Sequence, residues 1–299
     1  MYLCVSSGRR RKKFYNGPSI PGVDDSLLVS MASHESEILE NCFNYIIIDV
    51  IENTELKERK NHDDKLSKSK VEKLRKELRC LLEGGKWQHE HEVPTDVIAK
   101  WKKEILDWAW DDDKKPYVCS VPLLGEYIPK DKKVILYLKN IEDACEKDSY
   151  YCGVLSTYIH ELFHAAHHEA AYNGGRQYET IREIEEAMTE FSTLVFLREM
   201  SSDSSEWADT FNWAKRTIKE KQWCIGSLPA YGFGYYLFNH FSNDESEAVN
   251  WIKQYNQKIG AIDKKNRYVK WYQQMLNPMY PYKDEKLCLE LLHSILFNL

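Results

Sequence analysis

One stretch constrains this chain more than any other: residues 158–164, YIHELFH, which contain the pattern His-Glu-x-x-His. Side chains four residues apart lie on one face of an α-helix, so His160 and His164 can direct both imidazoles at a single ion. Glu161 follows His160 directly, where its carboxylate can reach a water molecule on that ion instead of the ion itself. Two nitrogen ligands, an open position and an adjacent general base predict a helix that carries a hydrolytic zinc centre.

A catalytic zinc ion needs a third protein ligand beside its open position. The pattern H-E-x-x-H-x-x-G-x-x-H does not supply it, because Ala170 replaces its last histidine and His167 replaces its glycine. The next predicted helix contains REIEEAMTEF, in which Glu185 and Glu186 are both candidate ligands and Glu190 lies one turn beyond Glu186. The apolar stripe of this helix faces away from Glu186, a pattern that by itself indicates a solvated carboxylate.

The two motifs, HELFH and EEAMTEF, together resemble the gluzincin metallopeptidases. In this thermolysin-like group a His-Glu-x-x-His helix is followed by a helix that bears a ligand glutamate. The resemblance implies a zincin-like fold and one Zn²⁺ per chain. It implies that His160, His164 and Glu186 are the zinc ligands, that Glu161 is the general base and that Glu190 is an outer partner of His160.

Two departures from thermolysin leave the ligand assignment open between Glu185 and Glu186. Thermolysin has asparagine before its ligand glutamate, where this chain has Glu185, and aspartate four residues after it, where this chain has Glu190. The resemblance also implies that an edge strand at Val134–Leu138 binds extended substrate backbone. A buried strand of the sheet is the alternative interpretation of these residues.

A further part of the resemblance lies in the run PAYGFGYYLF at residues 229–238, which is similar to the tyrosine-bearing helix of thermolysin-like peptidases. It implies that Tyr231 donates a hydrogen bond to the developing oxyanion. A tyrosine that only packs in the core is the alternative, since the chain contains 19 tyrosines. His240 is a second candidate donor.

These residues predict a zinc metallopeptidase that acts on a peptide or protein substrate. The main alternative is a catalytically inactive zincin that binds metal and serves as an interaction protein. Retention of Glu161 argues against it, because a protein that only binds metal does not need a general base.

Composition excludes several other classes of protein. The net charge of −6 argues against nucleic acid as the main partner, and no run of about 18 apolar residues predicts a membrane span. The basic N-terminus has no apolar segment of the secretory type, and the eight cysteines include no C-x-x-C pair. These features predict a cytoplasmic protein with reduced thiols, and they do not predict an oligomeric state.

The patterning predicts an α+β fold in which residues 1–24 form a flexible basic tail. Residues 25–152 form a mixed α/β lobe with a small sheet, and residues 153–299 form a mostly helical lobe. The metal-binding helix lies at the junction of the two lobes, a common location for a cleft. Strands are predicted at 45–51, 117–124 and 134–138, a loop at 52–70, and helices at 26–42, 71–82, 97–108, 153–172, 178–200, 204–221, 229–242, 245–258, 264–276 and 284–297.

Overall fold

The structure is a computed structural model that describes seven parts of the chain. Within these parts the chain is mostly helical and has one three-stranded sheet, in agreement with the predicted α+β class. The predicted helices at 71–82 and 97–108 and the first 14 residues of the predicted tail lie outside the described residues. The described residues are 15–34, 50–59, 123–173, 175, 181–221, 229–276 and 285–298.

Seven of the nine described helices lie close to the bounds that hydrophobic periodicity predicts, and the helix Tyr150–Asn173 carries the His-Glu-x-x-His motif. The helix predicted at 26–42 ends at Ser33, and the helix Leu138–Ala144 was not predicted. A short π-helical turn, Ser294–Asn298, follows the last helix. The helices are α1 (Asp25–Ser33), α2 (Leu138–Ala144), α3 (Tyr150–Asn173), α4 (Arg182–Met200), α5 (Ser205–Lys221), α6 (Pro229–His240), α7 (Glu245–Lys258), α8 (Arg267–Met275) and α9 (Glu285–His293).

The sheet has the strand order β1-β3-β2, in which β1 is Glu55–Lys57, β2 is Gly125–Ile128 and β3 is Lys133–Tyr137. β1 runs parallel to β3, whereas β2 runs antiparallel to it. The prediction of a loop throughout 52–70 is therefore wrong at β1. Of the two interpretations of 134–138, the structure supports the buried strand, because β3 is central within the described sheet and β2 forms an edge.

Two other strand predictions also need correction. Residues 50–52 are helical, so the end of the strand predicted at 45–51 is wrong, and residues 45–49 lie outside the described chain. Of the strand predicted at 117–124, residues 117–122 lie outside the described chain and residues 123–124 are not in a strand, since β2 begins at Gly125. A Cβ atom at Gly125 would lie 2.8 Å from Cγ2 of Thr157 and 2.9 Å from Cγ of Glu161. The absence of a side chain at Gly125 therefore lets the start of β2 pack closely on α3, and strand propensity does not report such packing.

Among the described residues, one hydrophobic cluster contains side chains from both predicted lobes, and the boundary predicted at 152/153 falls inside α3. Leu28 of α1 and Leu136 of β3 belong to the same buried cluster as the apolar side chains of α3 and α4. Ile20, which is only 1% exposed, belongs to this cluster too. Asp24 caps α1 by accepting a hydrogen bond from the backbone N–H of Ser26 at 2.8 Å. The prediction of a flexible tail is therefore wrong for residues 20–24.

Helices α4 and α6 approach each other closely at Gly234. A Cβ atom there would lie 2.6 Å from the carbonyl oxygen of Ala187 and 2.8 Å from Cβ of Glu190. We expect Gly234→Ala to lower the free energy of unfolding by about 1–3 kcal/mol, because rigid backbone cannot yield to the added methyl group. In an open helical position the same change would raise stability by up to about 1 kcal/mol.

Chemical denaturation of the purified variant checks this expectation. Asn239→Ala provides a matched control, since Asn239 lies on the same helix and is exposed. We expect its effect to stay within about 0.5 kcal/mol. A Gly234→Ala protein more stable than the wild type would contradict the close contact between α4 and α6.

Candidate metal centre

Helix α3 holds the two histidines of the motif side by side. The Nε2 atoms of His160 and His164 are 3.2 Å apart, and their rings are inclined at 79°. Both side chains are only 12% exposed, and α3 packs against the sheet, α4, α5 and α7. The four-residue spacing places both histidines on one face of α3, and that face is directed at the carboxylates of α4.

Helix α4 supplies a third donor atom at the same point. The Oε2 atom of Glu186 lies 3.5 Å from Nε2 of His160 and 3.4 Å from Nε2 of His164. A tetrahedral zinc ion with bonds of about 2.0–2.1 Å separates its ligand atoms by about 3.3–3.4 Å. The three measured separations match that value, so His160, His164 and Glu186 form a group that could hold a metal ion.

The remaining ring nitrogens of the two histidines face other carboxylates of α4. Oε2 of Glu190 lies 3.1 Å from Nδ1 of His160, the outer position that the resemblance implies. Oε1 of Glu185 lies 2.9 Å from Nδ1 of His164. The structure therefore places the carboxylate of Glu186 beside the two Nε2 atoms, and the carboxylate of Glu185 beside Nδ1 of His164.

The chemistry of these donors fits a bound cation. A neutral imidazole whose Nδ1–H is taken up by a carboxylate presents its Nε2 lone pair to a metal, and the Nε2 atoms of His160 and His164 face each other. Oε2 of Glu186 adds a third lone pair and is a buried atom without a hydrogen-bond partner. Burial lowers the pKa of His160, but the nearby carboxylates of Glu186 and Glu190 outweigh it and raise that pKa to about 9. The pocket thus stabilises positive charge.

Glu161 lies next to this group without joining it. Its side chain is 7% exposed and packs against Gly125, and the backbone N–H of Tyr127 donates to its carboxylate. Burial raises the pKa of Glu161, whereas the charges of His164 and His160 lower it. A buried carboxyl group with a raised pKa, close to the two histidines, is suited to general acid–base chemistry.

The structure also brings Tyr231 to the group. The centroid of its ring lies 5.5 Å from that of His160, and its hydroxyl lies near the carboxylate of Glu186. Burial, followed by the charge of Glu186, raises the pKa of Tyr231 well above its usual value, so the phenol remains a neutral donor. This contact was not predicted for Tyr231, which the resemblance assigned to the oxyanion.

Two other histidines stand outside the group. His240 is exposed at the far end of α6, nine residues beyond Tyr231 and therefore about 13 Å away along the helix axis. That position does not support a role as oxyanion donor. His167 is fully buried, and its Nδ1 lies 2.6 Å from Oδ1 of Asn256, which makes it a structural contact between α3 and α7.

Sequence reasoning did not include Arg182 in the site. Its Nε atom lies 3.7 Å from Oε1 of Glu186, one helical turn away, and 70% of the side chain is exposed. The i,i+4 spacing of Arg182 and Glu186 was the available signal. This cation lies at the solvent side of the site.

Comparison with protein-family models, curated proteins and solved structures returned no significant match for this chain. No helix among the described residues combines the length and apolar character that a membrane crossing needs. The fold and the site thus define an α+β protein with a candidate three-ligand metal centre, and the gluzincin resemblance remains an inference from the sequence.

Proposed function

We propose that this protein is a zincin-like, zinc-dependent metallopeptidase of the gluzincin type that hydrolyses peptide bonds. The observation that supports it most is the convergence of His160, His164 and Glu186 on one point, with the buried carboxylate of Glu161 beside them. Two imidazoles and one carboxylate form a donor set typical of catalytic zinc. Imidazole also binds copper and nickel, so the metal itself belongs to the proposal.

Each residue of the site has a separate role in the proposed reaction. A zinc ion held by the three donors would acidify a water molecule and polarise the scissile carbonyl. Glu161 accepts the proton of that water and passes it to the leaving amine. Tyr231 donates a hydrogen bond to the oxyanion that develops on the carbonyl. Glu190 keeps the ring of His160 in one orientation.

The position of β2 supports a peptide substrate. Because backbone groups alternate in direction along a strand, the N–H of Tyr127 that donates to Glu161 points away from β3. This side of β2 forms an edge of the described sheet, immediately beside Glu161. Main-chain groups on such an edge can pair with an extended peptide, which would place its scissile bond near Glu161.

Metal analysis combined with peptide cleavage tests the proposed function. We expect purified protein to hold about one zinc per chain and to cleave members of a peptide library, and the same protein treated with chelator to cleave none. Zinc without cleavage would favour the inactive metal-binding zincin instead. Absence of metal after exposure to zinc would reject the hydrolase proposal.

The variant Tyr231→Phe distinguishes two roles of the Tyr231 hydroxyl: a role in the reaction and a role in positioning Glu186. If the phenol donates to the oxyanion, we expect kcat to fall about 10²–10³-fold with KM little changed, as with the loss of one oxyanion donor. Zinc content and the melting temperature should stay near those of the wild type. Weaker zinc binding with nearly normal kcat at saturating zinc would instead restrict Tyr231 to its contact with Glu186.

A further inference from the structure

Carboxylates of helix α4 lie near the Nδ1 atoms of both ligand histidines, on the side of each ring away from the proposed metal. Carboxylate oxygens lie 3.1 Å from Nδ1 of His160 and 2.9 Å from Nδ1 of His164, and they belong to Glu190 and Glu185. The hydroxyl of Thr189 lies 3.4 Å from the same nitrogen of His164. One face of a single helix therefore provides the third ligand and the outer partners of the other two.

We propose that Glu185 is a positioning residue whose negative charge, together with its hydrogen bond, holds His164 for metal binding. This inference rests on the proposed zinc centre and goes beyond it. It assigns to Glu185 a role that neither the ligand set nor the general base requires. The gluzincin resemblance implies an uncharged asparagine at this position, so the charge is a property of this chain.

The surroundings of Glu185 support a role for its charge. Its side chain is 14% exposed, and a carboxylate removed from water to this extent needs a compensating partner. A ring N–H that donates to a carboxylate forms a stronger hydrogen bond than one that donates to an amide. Such a bond fixes the tautomer of His164 and makes its Nε2 a better donor to a metal.

Zinc affinity, measured by competition with a chelator of known affinity, tests this role in the full-length protein. Glu185→Gln keeps a hydrogen-bond acceptor and removes the charge, whereas Glu185→Ala removes both. We expect zinc binding to weaken by about 10-fold in the first variant and by up to about 100-fold in the second, the range measured for outer partners of metal ligands. Melting curves recorded in excess chelator show whether each variant folds.

Glu183→Gln is the matched control, because Glu183 lies on the same first turns of α4 and accepts a hydrogen bond from Gln273 at 3.1 Å, away from the metal ligands. We expect it to bind zinc like the wild type. The visible spectrum of the cobalt-substituted protein gives a second measurement. Glu185→Gln should shift the d–d bands because the donor strength of His164 changes, whereas Glu183→Gln should not.

Unchanged zinc affinity and an unchanged cobalt spectrum in Glu185→Gln would overturn the role of its charge and leave the proposed function intact. Equal affinities in Glu185→Ala and the wild type would overturn the positioning role altogether. A wild-type protein that binds no zinc would reject the proposed function, and this inference with it. Because the measurements use metal binding alone, they do not depend on finding a cleavable peptide.

Discussion

Replacing Glu186 with alanine is expected to abolish tight zinc binding, because it removes one of three converging donor atoms. Oε2 of Glu186 is the only described carboxylate oxygen grouped with the Nε2 atoms of His160 and His164. The loss should exceed the 10–100-fold that removal of an outer partner causes. Elemental analysis after gel filtration in chelator-free buffer measures it, and His160→Ala should give the same result.

The control for this prediction is Glu183→Ala, which removes a carboxylate from the same helix without touching the site. It should retain about one zinc per chain. If Glu185→Ala lost the metal while Glu186→Ala retained it, the ligand assignment would be wrong by one residue. Circular dichroism shows whether both variants fold. If they do, either outcome reports on the metal centre and not on misfolding.

The helical half of the fold could be predicted from the sequence because its helices are long and periodic. α3 was expected at 153–172 and spans Tyr150–Asn173, and α7 was expected at 245–258 and spans those same residues. The pairing of His160 with His164 follows from helix geometry alone, since four residues advance a helix by slightly more than one turn. Local spacing therefore determined that part of the site.

The position of Glu186 could not be derived from the helical wheel. An apolar stripe normally marks the only buried face of a surface helix. α4, however, packs on α3, α5, α6 and α7, and its polar residues Thr189, Glu190, Ser192 and Thr193 are buried as well. The face that looks solvated in the sequence is thus the face that meets α3, and only the packing of the two helices reveals it.

The strand order of the sheet could not be predicted from the sequence, for a different reason. β1 consists of Glu55–Lys57, which are partly exposed and lie in a charged segment without alternation. β3 reads as a short apolar run, which fits a central strand and a covered edge strand equally well. Pairing between strands distant in sequence is a tertiary property, so the edge beside Glu161 could not be assigned to β2 from sequence alone.

Glu161→Gln is expected to retain zinc and to lose nearly all hydrolysis. Glutamine has the shape of glutamate and can still accept the hydrogen bond that the backbone N–H of Tyr127 donates to residue 161. It cannot take a proton from water, so kcat should fall by about 10²–10⁴-fold, the contribution typical of a positioned general base. Zinc content should remain near one per chain, since no atom of Glu161 belongs to the group of converging donors.

Glu169→Gln is the matched control for this change. Glu169 also lies on α3, eight residues beyond Glu161, and is buried as well. Its carboxylate, however, forms an ion pair with Lys132 at 2.7 Å. Its replacement should lower the melting temperature, because an ion pair between α3 and the turn after β2 is lost, and should leave kcat near that of the wild type. Full activity in Glu161→Gln at unit zinc occupancy would mean that another group accepts the proton. In that case the buried carboxylate beside the two histidines serves to fix the edge of β2 on α3.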